Sequence, residues 1–220
     1  MVSTMGVVPR DVSIAARDAT LPGILTVPSE PLGVVLFAHG SGSSRLSPRN
    51  RMVSDRLVQA GFATLLFDLL DEYEAEDRSA VFDIPFLATR LEDATLNVPA
   101  LLGGWIPIGY FGASTGAGAA LWAAADLGAR IGAVVSRGGR PDLAGAHLVN
   151  VTAPTLLIVG GLDEVVIELN REAMGRMRCP AEIEFVPGAT HLFEEAGTLE
   201  AVADLAAGWF GSHLAGKPGT

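Results

Sequence analysis

Apolar and polar positions fall along this chain in blocks. Residues 33–38, Gly-Val-Val-Leu-Phe-Ala, form an unbroken apolar run of strand length, and 63–69, 107–111, 131–135, 155–159 and 182–186 read as further strands. Unbroken runs suit strands buried on both faces. Helical stretches lie between them. Ser47 reads as an N-cap, Pro48 as the first helical residue and Gly61 as the residue past the end. Residues 84–102 read as mostly helical, with Pro85 tolerated near the start, and 115–127, 165–177 and 199–214 are further helices. The polar, acidic stretch 71–78 reads as loop, and 12–16 with 23–27 as two short strands of a hairpin-like opening. Strands that alternate with helices imply right-handed crossovers and a mostly parallel sheet. The pattern predicts an α/β fold with a central sheet of about eight strands, helices on both faces and an antiparallel edge.

Composition narrows the class. The 220 residues are 49% hydrophobic and only 18% charged, with a mean hydropathy of +0.38. This predicts one domain over 1–220 with a heavily buried core and short flexible ends at about 1–10 and 215–220. Residues 94–125 lack Asp, Glu, Lys and Arg, yet Pro99, Gly103, Gly104, Pro107, Gly109 and Gly112 break the stretch into buried-core elements. A net charge of −10 argues against nucleic acid and anionic membrane as partners. Cys179 is the one cysteine, so no internal disulfide forms, and the first 22 residues hold no uninterrupted apolar segment. A cytoplasmic location is expected. The four histidines are scattered without ligand spacing, so no metal and no cofactor are implied.

The chemistry centres on Gly112-Ala113-Ser114-Thr115-Gly116, which joins a predicted strand to a predicted helix. A serine in such a turn is a nucleophile elbow: only small residues fit two before and two after it, and the helix start offers free N–H groups. With 26 Gly and 12 Ser, chance alone yields about 0.16 such pentapeptides per chain, so the weight falls on the surroundings.

Ligands in such sheets bind beyond the carboxyl ends of the strands. A serine needs a base, and a histidine base needs a carboxylate to orient it. His191 directly follows the last strand, whereas His39 ends a strand beside a Gly/Ser-rich turn and fits a bracing role better. His147 and His213 lie in helices. Asp163 follows the penultimate strand, and Asp68 sits at a strand end farther away. Ser114, Asp163 and His191 therefore form the candidate catalytic set, separated by 49 and 28 positions in the order Ser…Asp…His. The N–H groups of Ser41 and Thr115 are the candidate oxyanion hole. Gly42, Arg45, Arg137 and Arg140 are candidate substrate contacts, the last two for a carboxylate or phosphate, or else as partners of the acidic loop 71–77. Only residues 136–154 separate the strand after the elbow helix from the next, too few for a large lid. An open, shallow site is expected.

These stretches resemble the dienelactone-hydrolase-like group of α/β-hydrolases, in particular the serine-nucleophile subset often fused to phosphoribosyltransferase domains. The resemblance rests on residues 39–45, 111–118, 160–163 with Leu169-Asn170-Arg171, and 187–193, and extends from about Val12 to Phe210. It implies a serine hydrolase with Ser114 as nucleophile. One departure stands out: dienelactone hydrolases carry cysteine at the elbow, where this chain has Ser114. The expected activity is cleavage of carboxylic esters, short-chain or aryl, through an acyl-enzyme on a small-molecule substrate. The same three residues could serve a thioester, amide or peptide, or the chain could be a non-catalytic binding protein on this scaffold.

Overall fold

Eight strands form one sheet in the order β1-β2-β4-β3-β5-β6-β7-β8 in the computed structural model, which describes residues 7–216. The opening hairpin is β1 (Arg10–Ala15) and β2 (Thr20–Thr26). The remaining strands are β3 (Val34–Ala38), β4 (Ala63–Phe67), β5 (Ile108–Ala113), β6 (Ile131–Arg137), β7 (Thr155–Gly160) and β8 (Ala181–Val186). Strand β2 pairs antiparallel with β1 and β4, and every other pairing is parallel. This is the α/β-hydrolase fold that the strand–helix alternation predicts. The tails 1–6 and 217–220, part of the expected flexible ends, lie outside the described residues.

The central strands are buried along their full length because helices cover both faces. Helices α4 (Ile84–Leu102), α5 (Thr115–Leu127) and α6 (Glu164–Arg176) lie on one side, with Leu36, Tyr110 and Val134 in the shared core. On the other, α1 (Pro48–Gln59) and α7 (Thr198–His213) cover Phe37, Phe111 and Val135. Burying each such side chain stabilises the fold by about 1.5–3 kcal/mol. Among the described residues no helix is long and apolar enough to cross a membrane.

Two local differences from the sequence reading bear on the site. Strand β4 stops at Phe67 because the next residues turn to other partners: Asp68 accepts from the Arg45 backbone, and the Leu69 N–H donates to His39. The 71–78 stretch is not loop. It forms α2 (Glu72–Glu76) and runs into α3 (Arg78–Val81). Asp71 and Glu74 cap the start of α2 reciprocally, and Asp77 caps α3. Neither helix buries a residue, so no apolar stripe marked them.

Candidate active site

Strand β5 delivers Ser114 into a sharp turn. Its backbone has φ 50° and ψ −123°, a conformation costing a non-glycine residue about 1–3 kcal/mol. The surroundings enforce it. The Ser114 N–H donates to the Arg137 carbonyl at 3.3 Å, and its own carbonyl accepts from Ala117 and Arg140 N–H at 3.1 and 3.0 Å. Space explains the glycines on either side. A Cβ on Gly112 would lie 2.5 Å from Ala117 Cα, and one on Gly116 would lie 2.1 Å from the Ala38 carbonyl oxygen.

Asp163 stands at the N-cap position of α6, yet its carboxylate makes no capping bond. It accepts instead from His191 Nδ1 at 2.7 Å. A carboxylate can only accept, so Nδ1 carries the proton and Nε2 is left as the basic nitrogen. The loops that carry the two residues are tied together. Gly161 N–H donates to Val186 O at 2.9 Å and Leu162 N–H to Ala189 O at 3.0 Å. Thr190 gives its N–H and hydroxyl to Glu195 at 3.1 and 2.6 Å, bonds that hold the Glu195 carboxyl below the usual carboxylate range. Ser114, Asp163 and His191 thus follow β5, β7 and β8 on one edge of the sheet. Ser114 Oγ has no hydrogen bond among the described residues. Nucleophile–base bonds commonly tighten only when substrate binds.

The two candidate oxyanion donors differ. The Thr115 N–H opens α5 and has no acceptor among the described residues. The Ser41 N–H is engaged, donating to Thr115 Oγ1 at 2.9 Å. Next to it, His39 joins two loops. Its Nε2 accepts from Leu69 N–H at 3.0 Å and its Nδ1 donates to Gly40 O at 3.0 Å. Burial pushes the His39 pKa below its ordinary value and keeps the ring neutral.

A cleft of about 550 Å³ opens beside Thr115. Ser41, Gly42 and Arg45 line it on the oxyanion-loop side, Leu69, Leu70 and Leu87 give it apolar surface, and Ala75 and Val81 wall it from α2 and α3. The linker 136–154 carries a 3-10 stretch at Pro141–Asn150 and does not line this cleft. Ser114, Asp163 and His191 do not line this cleft, which adjoins them through Thr115 and is walled on one side by short helices that the acidic stretch concealed.

The candidate substrate contacts separate. Gly42 and Arg45 line the cleft, although the Arg45 guanidinium is paired with Asp68. Arg140 is neutralised by Asp142 through bonds of 2.8 and 2.7 Å, not by the acidic loop. Its contribution at the elbow is its backbone N–H. Arg137 is buried on the α1 side of the sheet, outside the cleft, and Nη2 donates to Asn50 Oδ1 at 3.4 Å. The sequence weighs Arg49 only beside Arg45 as a possible substrate contact, and nothing in it singles out Asn50 or Glu195. Asn50 lies 87 residues from its contact, and no local pattern announces such a pairing.

Comparison with known proteins agrees with this architecture. The family model described as "Dienelactone hydrolase family" matches residues 21–208. The crystal structure of a dienelactone hydrolase from Anabaena variabilis is 50% identical, with a TM-score of 0.89, and the match covers 94% of this chain and 99% of that one. An esterase domain from Rhodothermus marinus shares the fold at 20% identity and a TM-score of 0.76, over 94% of this chain and all of that one (100%). Two Mycobacterium tuberculosis proteins, from strains CDC 1551 and H37Rv and named as phosphoribosyl transferases, are each 57% identical over 215 residues. That match covers 94% of this chain but 47% of either relative, so the chain spans about half the length of the curated relatives it matches. By fold, by motif placement and by these likenesses, the chain belongs to the dienelactone hydrolase family and is an α/β-hydrolase.

Proposed function

We propose that this hydrolase cleaves carboxylic esters of short-chain or aryl type through an acyl-enzyme on Ser114. The observation that carries the reading is the 2.7 Å bond between Asp163 and His191 Nδ1, which leaves Nε2 as a base on the edge where the elbow presents Ser114. Ser114 Oγ attacks the carbonyl carbon while its proton passes to His191 Nε2. The developing oxyanion is met by the N–H of Thr115, a donor worth about 3 kcal/mol, and by the proton of the Thr115 hydroxyl, whose oxygen holds the Ser41 N–H at 2.9 Å. The alcohol leaves with the proton from His191. Water then attacks the acyl carbon, gives a proton to Nε2, and the acid departs as Ser114 recovers its hydrogen. The apolar side chains of Leu69, Leu70 and Leu87 in the cleft beside Thr115 support an apolar acyl or aryl group.

The test is hydrolysis of p-nitrophenyl acetate, butyrate and octanoate by wild type and Ser114→Ala. Activity that falls with chain length, a fluorophosphonate label on the wild type, and loss of both in Ser114→Ala are expected. Turnover that survives in Ser114→Ala, or a wild type that neither turns over esters nor takes the label, overturns the reading.

A further inference from the structure

Two arginines are almost wholly buried among the described residues, Arg90 and Arg137, and their surroundings are opposite. Arg90 has two carboxylates, Glu74 at 2.6 Å and Asp18 at 2.9 Å. Arg137 has none among the described residues. Its Nε and Nη1 are buried without an acceptor, and Nη2 reaches only the neutral Asn50 amide at 3.4 Å. The charge that acts on it is of like sign, from Arg49, whose own Nε is also buried without an acceptor. Burial and that neighbour lower the Arg137 pKa to about 10, so the group stays cationic at neutral pH. Arg49 and Asn50 both lie in the first turn of α1, where the helix is positive. Three cationic features therefore converge with no buried anion between them. An unpaired buried guanidinium is costly, and a partner would remove the cost. The other arginines near the site already have theirs, in Asp68 and Asp142.

We propose that Arg137, Arg49 and the first turn of α1 form a niche for one small anionic oxygen group, a carboxylate or a phosphate, beside the nucleophile elbow. The niche adjoins the site through the backbone. The Arg137 carbonyl holds the Ser114 N–H, and Gly138 packs so closely that a Cβ there would lie 2.9 Å from the His191 carbonyl oxygen. Access runs through Arg49. Its side chain is 37% exposed and lines an open groove with Phe193 and Glu194, and an entering anion competes with Glu194 for the outer nitrogen of Arg49. Guanidinium groups suit this ligand because they bind planar or tetrahedral oxyanions through paired N–H donors. The anion comes either from solution or as a carboxylate on the substrate. Only the second source rests on the esterase reading.

Thermal unfolding at constant ionic strength, with sodium chloride exchanged for sodium phosphate or sodium acetate, tests the niche without any turnover. A saturable rise in Tm is expected for wild type and is expected to vanish in Arg137→Met. Should Arg137→Met not fold, Arg49→Met keeps the test, with apparent phosphate affinity lowered at least fivefold. No saturable rise, or an undiminished one in Arg49→Met, overturns the proposal. The source is then read from kcat/KM for mono-4-nitrophenyl succinate against 4-nitrophenyl butyrate. A preference for the succinate that Arg49→Met erases assigns the anion to the substrate, and a saturable Tm rise without that preference assigns it to solution. A protein that cleaves neither ester but gains Tm with phosphate retains the niche and loses the esterase reading.

Discussion

The Ser41 N–H donates to the Thr115 hydroxyl at 2.9 Å, so the loop after β3 and the first residue of α5 are tied together beside Ser114. The hydroxyl oxygen fixes the Ser41 amide, and its own proton is free to turn toward a developing negative charge. One neutral hydrogen bond is worth about 1 kcal/mol. Thr115→Val is therefore expected to lower kcat for p-nitrophenyl butyrate by about fivefold, with KM little changed. Thr115→Ser, which keeps the oxygen, should stay within about twofold of wild type. Equal kcat values in the two variants would show that the hydroxyl only fills space.

The Asp163 carboxylate orients His191 and caps nothing. Asp163→Asn presents an amide that can donate to Nδ1, which favours the wrong imidazole tautomer. A loss of about 10,000-fold in kcat is expected, with little change in Tm because no cap bond is broken. A large fall in Tm instead would mean that Asp163 serves mainly to hold α6.

Close packing at the elbow makes Gly116 irreplaceable. A methyl group there would sit 2.1 Å from the Ala38 carbonyl oxygen and 2.5 Å from that of His39, both backbone atoms that cannot swing aside. Gly116→Ala is expected to cost about 3 kcal/mol or more, seen as a Tm lowered by about 6–12 °C or as insoluble protein. A variant with wild-type Tm would refute this account of the turn.

Neutral His39 gives the fold a pH dependence. Its folded pKa lies below the unfolded value because burial disfavours the charged ring. The unfolded chain therefore binds the proton first as pH falls. The stability that neutral His39 contributes is complete above about pH 6.5 and declines below it, down to the folded pKa. Thermal scans between about pH 7 and 5.5 should show Tm falling more steeply for wild type than for His39→Gln. Parallel curves would exclude His39 as the titrating group.

Much of the architecture was legible because strong local signals coincide with tertiary placement. Helix α4 spans Ile84–Leu102 as read, opening with Pro85 and stopped by Gly103 in the left-handed conformation. Helix α5 runs from Thr115 to Leu127 as read, because the elbow sets its start. The edge positions of Asp163 and His191 followed from strand order. What escaped was short or remote. Helices α2 and α3 are held by carboxylate caps and have no buried face to produce a period. The link between Arg137 and Asn50 and the one between Ser41 and Thr115 each join residues more than 70 positions apart. Such pairings exist only once the sheet has brought their loops together.

The seat of α2 has a consequence for how this protein can change over generations. Helix α2 buries no residue of its own, and Glu74 anchors it to Arg90 inside α4 at 2.6 Å. The wall of the cleft is thus moored by an ionic tether, while Ser114, Asp163 and His191 sit on other stretches of chain. Residues 71–82 can accumulate substitutions, lengthen or shorten, provided the tether survives, without touching the residues proposed to react. Diversification in what the cleft accepts is expected to concentrate there, leaving the elbow and the histidine loop as the slow-changing part of the lineage.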